Sequence, residues 1–143
     1  MSQERRTFIH CGATRVSTLE VLMNGGNQVL IEDLASEVLD YDFVDDHAWM
    51  EATLSGIKNL LGSRRGKAHP TVIVPGFRIL SKNLRIPHVE VSKRKQIIAF
   101  EVQQNLPYSI EEVVWDSQVV ADDGIETDLL FLAAKRDWIQ SFC

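Results

Sequence analysis

Asn24-Gly25-Gly26-Asn27 separates two runs of strand-forming residues, and this tetrapeptide restricts the fold of the first third of the chain more than any other feature. Asn and Gly tolerate positive φ and therefore close tight reversals between antiparallel strands. Ser17 to Met23 leads into the turn and Gln28 to Ile31 leaves it, so the pair reads as a hairpin. Upstream, Thr7 to Cys11 reads as a short strand ended by Gly12. Beyond the hairpin, the stretch through Leu34, Val38, Tyr41 and Phe43 reads either as more strand or as an irregular connection.

The period then changes. Asp45 or Asp46 offers an N-cap, and Met50, Leu54, Ile57 and Leu61 recur at intervals of four, three and four, which makes one apolar helical face. Gly62 stands where a C-cap glycine belongs, and a loop with Arg64, Arg65 and Lys67 runs to Pro70. Thr71 to Val74 is a short apolar run stopped by Pro75-Gly76; such a run suits a strand buried on both faces, so a central position is expected. Strand, two hairpin-joined strands, helix and a strand returned beside the first is the opening of a ribonuclease-H-like or actin-like lobe. Other α/β folds begin the same way.

Downstream, Phe77 to Ile86 alternates imperfectly and reads as an extended edge segment ending at Pro87. Ser92 is positioned to cap a helix through Asn105 that buries Ile98, Ala99, Val102 and Leu106, and Pro107 stops it. Val113 to Val120 and Glu126 to Ala133 form a second hairpin around Ala121-Asp122-Asp123-Gly124. Lys135 to Cys143 then begins a helix with Trp138, Ile139 and Phe142 turned inward. The fold class is therefore α/β (α+β), with a first-lobe portion over 1–86 and a small α/β subdomain over 87–143, the seam lying between Pro75 and Pro87. A final helix without a C-cap or exit loop reads as part of a truncated chain.

Composition narrows the function. At 45% hydrophobic and 24% charged residues the chain is globular in type, and a net charge of -5 gives no general attraction to nucleic acid. The local clusters at Arg64, Arg65 and Lys67 and at Lys93, Arg94 and Lys95 read as a solvated loop and a helix start. The two cysteines, Cys11 and Cys143, share no redox or metal-ligand spacing. No secretory signal is legible before Thr7, and the longest apolar run, Leu129 to Ala134, is too short to span a bilayer. A cytoplasmic location is the expectation.

The second half also carries a specific pattern. Thr71-Val72-Ile73-Val74-Pro75-Gly76 followed by Leu84-Arg85-Ile86-Pro87 resembles the strand, Pro-Gly turn and exit of PilM proteins. The segment from Ile98 through Glu101, Leu106-Pro107-Tyr108, Glu111-Glu112-Val113 and Asp116-Ser117-Gln118-Val119 resembles the same family's signature, and Leu129 to Arg136 its following strand into a helix. The match covers Thr71 to Cys143 well and the first seventy residues only by order of elements.

This resemblance implies an FtsA/PilM-type actin-like fold with a small subdomain inserted into the first lobe. It further implies an adaptor of a type IV pilus inner-membrane complex that holds the short cytoplasmic tail of a single-span, PilN-like partner in a groove beside the insertion. The chain would then be cytoplasmic and associated with the inner membrane through partners, and self-association is expected through exchange of Lys135 to Cys143. Arg85, Glu101, Gln104, Pro107, Tyr108 and Trp115 are the candidate partner-binding residues. Tyr108 and Trp115 offer amphipathic contact area to a peptide, or else fill the core between helix and hairpin; both readings stand. Glu101, Gln104 and Arg85 are divided in the same way between partner contact and solvent.

Two alternatives belong beside the adaptor: an ATP-binding actin-like filament protein, and a cytoplasmic domain of the GspL kind from type II secretion. Against hydrolysis, His10-Cys11-Gly12 stands where actin-like ATPases have Asp-x-Gly, and imidazole is a poor ligand for a hard cation. Catalysis, a resident metal and a cofactor are therefore not expected, and ATP is expected only in a longer parent. His10 and Cys11 point to opposite faces of a strand, which excludes a shared proton. His47, His69 and His88 lack ligand spacing, and Asp45-Asp46, Glu111-Glu112 and Asp122-Asp123 suit caps and turns.

Overall fold

The computed structural model describes residues 3–26, 28–45, 47–62 and 69–143, so Asn27, Asp46 and the cluster Arg64, Arg65 and Lys67 lie outside the described residues. The chain divides into two compact units, Met1–Pro75 and Gly76–Cys143. The division thus falls at Pro75, the first residue of the expected Pro75 to Pro87 seam, and puts Gly76 to Ile86, expected within the 1–86 portion, in the second unit. The cause is hydrogen bonding: Leu80 to Pro87 pairs along its whole length with a later strand of the second unit, so it cannot belong to the first.

In the first unit, strands β1 (Glu4–Cys11), β2 (Arg15–Asn24) and β3 (Gln28–Val38) form an antiparallel meander. Helix α1 (Ala48–Leu61) then crosses over to β4 (Thr71–Ile73), which lies parallel to β1. The sheet order is β3-β2-β1-β4, as the sequence of elements predicts. Period-two alternation buries Thr7, Ile9 and Cys11 on one side of β1, opposite Val16 and Thr18 of β2. The stretch through Leu34 and Val38 is strand; it carries a bulge opposite Glu20/Val21, and the irregular connection begins at Leu39.

The structure departs from the sequence pattern at three places. First, β4 is an edge strand with Ile73 47% exposed, because the described residues supply no strand beyond it. Second, the fully buried line of α1 is Trp49, Thr53 and Gly56, while Met50, Leu54, Ile57 and Leu61 are half-buried. A Cβ on Gly56 would stand 2.7 Å from Cγ1 of Val16, so the helix comes closest to the sheet along its small residues and its long side chains splay to the flanks. Third, the N-cap of α1 is His47, without a side-chain cap bond, and Asp45 instead accepts the His47 N–H at 2.9 Å in the turn before it.

In the second unit, β5 (Leu80–Pro87), α2 (Val91–Asn105), β6 (Val113–Asp122), β7 (Glu126–Lys135) and α3 (Arg136–Gln140) follow in order. The three strands form an antiparallel sheet ordered β5-β7-β6, with β5 at an edge as expected. Ile98 and Val102 of α2 pack on one face of it, against Ile86, Val113, Leu129, Phe131 and Ala133. Of the predicted face, Ala99 and Leu106 are only half-buried. Glu90, not Ser92, precedes the helix as N-cap, its carbonyl accepting from Lys93 and Arg94 at 2.9 and 3.2 Å.

The β6–β7 turn is held by carboxylates. Asp122 accepts the Gly124 N–H at 2.9 Å, and Asp123 accepts those of Ile125 and Glu126 at 2.8 and 2.7 Å, with Gly124 at φ 84°. The expected final helix is shorter than its pattern suggested. After Gln140 the last bonds tighten to an i to i+3 spacing at 3.0–3.2 Å, and Trp138, Ile139 and Phe142 stay half-buried. Among the described residues no helix is long and apolar enough to cross a membrane.

Candidate partner-binding site

The second unit carries a cleft of about 390 Å³ at the end of its sheet where β5 begins and β7 stops. Helix α2 ends there because Leu106 turns extended (φ -89°, ψ 142°) ahead of Pro107, the conformation that the proline ring imposes on its predecessor. Pro107 and Tyr108 then cross to a 3-10 helix, Ile110–Glu112, that is capped reciprocally. Oγ of Ser109 accepts the Glu111 N–H at 3.4 Å, and the Ser109 N–H donates to Oε2 of Glu112 at 3.3 Å. The Pro107-Tyr108 corner is therefore fixed on both sides.

Leu80, Val113 and Ala133 line the cleft with aliphatic surface, and Phe77, Tyr108 and Trp138 contribute aromatic rings. Two cations complete the lining: Arg78, and Lys135, whose Nζ stands 4.6 Å from the centroid of the Tyr108 ring. The junction of β7 and α3 is stapled by Arg136, which donates to the carbonyls of Glu111 and Val113 at 3.2 and 3.1 Å. Phe77 is 56% and Tyr108 40% exposed, so apolar surface faces solvent in a concave setting, the usual composition of a binding pocket.

Pro107 and Tyr108 are the sequence candidates that this cleft brings together. Arg85 lies on β5, held by Asp128 at 2.7 Å with Glu126 at 3.6 Å, and these carboxylates push its guanidinium further into the charged range. Glu101 and Gln104 stand on α2 and do not line the cleft. Trp115 is half-buried on β6 against Phe131, ring centroids 5.5 Å apart, with Nζ of Lys95 5.9 Å from its ring; the core-filling alternative describes that position. Sequence reasoning missed Phe77, Arg78, Lys135 and Trp138. They come from both ends of the unit, and only the β5–β7 pairing joins them.

In the first unit, the loop after β1 is closed by its neighbours. The Gly12 N–H donates to the Arg15 carbonyl at 2.9 Å, while the carbonyls of Gly12, Ala13 and Thr14 accept from Trp49 Nε1 (3.0 Å), Tyr41 Oη (2.7 Å) and Leu39 N (2.8 Å). Cys11 is fully buried, and desolvation pushes its thiol up to about 11, well away from a reactive thiolate. His10 is exposed on the other face. Of the remaining histidines, His88 sits 2.9 Å from the Asp122 carboxylate. Among the described residues no group of three His, Cys, Asp or Glu side chains is placed to hold a metal ion.

The chain shares its fold with a PilM-PilN type IV pilus biogenesis complex. That similarity has a TM-score of 0.75 at 18% identity and covers 96% of this chain. The cytoplasmic domain of EpsL, an inner membrane component of the type II secretion system of Vibrio cholerae, is similar with a TM-score of 0.56 at 12% identity over 97% of this chain. This chain spans 42% and 50% of the lengths of those two structures. No family model and no curated protein matches the sequence.

Proposed function

We propose that the chain is an adaptor of a type IV pilus inner-membrane assembly, a cytoplasmic protein that holds the short cytoplasmic tail of a single-span, PilN-like partner. The observation that carries this reading is the apolar, aromatic-walled cleft at Tyr108, formed on a fold similar to that of a PilM-PilN complex. A role by binding and not by hydrolysis is supported by the loop after β1, where His10-Cys11-Gly12 brings no carboxylate and Gly12 has its own N–H committed to Arg15. ATP would then belong to a longer parent. The likeness to the EpsL cytoplasmic domain supports a second reading, a GspL-like component of type II secretion, which a membrane span later in the parent gene would favour.

Calorimetric titration with the amino-terminal tail of the neighbouring single-span protein tests the proposal. Saturable binding is expected, weakened about fivefold or more by Tyr108→Ala, because truncating an aromatic anchor typically costs upward of about 1 kcal/mol. Absence of saturable binding to the intact chain would overturn it.

A further inference from the structure

One side of the β3 backbone meets no partner strand among the described residues, because β3 lies outermost in the first sheet. Such an edge is usually guarded by proline, lysine or a run of charge. β3 contains neither proline nor lysine. A bulge interrupts it where Glu20 pairs with Asp33 and Val21 with Ile31, which leaves Glu32 as the extra residue; beyond the bulge, residues 34–38 run regularly along β2. The single charge of that stretch, Glu37, is turned to α1, whose Asn59 donates to it at 3.0 Å. Leu34, Ser36 and Val38 alternate with it and point away from the helix, with Leu34 69% and Val38 62% exposed.

We infer that β3 pairs with β3 of a second copy of the chain, antiparallel, across a twofold axis at Ser36. Opposed side chains in a sheet share a face, so such an axis must set one residue opposite its own copy. With the axis at Leu34, the ladder runs through the bulge and brings Ser36 opposite Glu32. At Ala35, Leu34 meets Ser36 and Val38 meets Glu32, so neither aliphatic side chain gains an apolar partner. At Glu37, two carboxylates oppose each other, which destabilises a strand pair. At Ser36, Leu34 meets Val38 of the second copy on each side of the axis and Ala35 meets Glu37. Four exposed aliphatic side chains then join at the seam. The stretch is thus complementary to itself in one register, which is why the occupant is a second copy. This interface is independent of tail capture in the second unit and of any exchange of Lys135 to Cys143.

The test uses the full chain carrying Cys143→Ser, so that the exposed native thiol takes no part; Cys11 is buried. Ser36→Cys places a thiol opposite its own copy, with Cα atoms about 4.5–5.5 Å apart, inside the range that a disulfide spans. Leu34→Cys alone would lie about 13 Å from its own copy, too far to bridge, but opposite Val38→Cys in a mixture of the two. Under mild oxidation, Ser36→Cys alone and the Leu34→Cys with Val38→Cys mixture should give disulfide dimers, and neither member of the mixture alone should. By sedimentation equilibrium, Val38→Lys sets a lysine against Leu34 twice and should weaken the dimer about threefold to thirtyfold. Far-ultraviolet circular dichroism confirms that each variant is folded. Bridging of Leu34→Cys alone as readily as Ser36→Cys overturns the register. A chain that stays monomeric at every concentration reached, or a dimer unmoved by Val38→Lys, overturns the interface.

Discussion

The two units solve the same packing problem with different materials. In the first, a helix lies on a sheet through its small residues Thr53 and Gly56, with Val16 and Leu39 against Gly56, so closeness of approach stands in for side-chain bulk. In the second, α2 is held off its sheet by Phe131, Leu129, Ile86 and Ile98, all 2% exposed or less. The turns differ in the same sense. Backbone groups and the donors of Trp49 and Tyr41 close the loop at Gly12, whereas carboxylates close the one at Asp122 and Asp123. A fold can thus be fixed by excluding volume or by filling it, and the two routes fail under different perturbations.

The most damaging single change should fall in the filled core. Phe131→Ala is expected to cost about 3–5 kcal/mol, read as a shift in the urea midpoint; a loss under about 1 kcal/mol would mean that the core collapses around the gap. Next comes the excluded volume. Gly56→Ala should destabilise by about 1–3 kcal/mol despite alanine's better helix propensity, because the new methyl meets Val16. Combining it with Val16→Ala should recover part of the loss, and a neutral single variant would refute the close approach. Smaller still, Gly124→Ala should cost about 1–2 kcal/mol through its positive φ alone, since nothing lies within 4 Å of the added Cβ.

Acid sharpens the contrast between the turns. The Asp122 carboxyl is lowered from its ordinary value of 3.8, first by the Gly124 N–H and then by His88 and Thr127. That of Asp123 is lowered by the N–H groups of Glu126 and Ile125. Both folded values lie below the unfolded one, so the stability they contribute is present above that unfolded value and is lost as pH falls through the folded values. Thermal melts between about pH 5 and pH 2 should show the second unit losing stability over that window, less so in Asp122→Asn. An identical pH profile for that variant would remove the turn from the account.

Much of this architecture is legible in the residues. The Asn-Gly reversal, the helical period of α1 and the Pro107 stop each act over a few positions, and strand order follows from them. The buried line of α1 was not legible, because periodicity counts large apolar residues while contact with the sheet selects small ones at Thr53 and Gly56. Nor was the position of β4, since an apolar run at Thr71 to Val74 reports that neighbours are wanted and not which chain segment provides them. The cleft was half visible: Pro107 and Tyr108 announce a corner, but Phe77 and Lys135 are separated by more than fifty positions and meet only through strand pairing.

Among the described residues no strand pairs with the outer side of β3. This strand is eleven residues long, lies outermost in its sheet, and exposes Val29, Ile31, Leu34 and Val38. Unsatisfied backbone groups beside greasy side chains template the growth of further strands. Leu34→Lys should therefore lower any association of the chain through this edge, read by sedimentation of both variants at matched concentration.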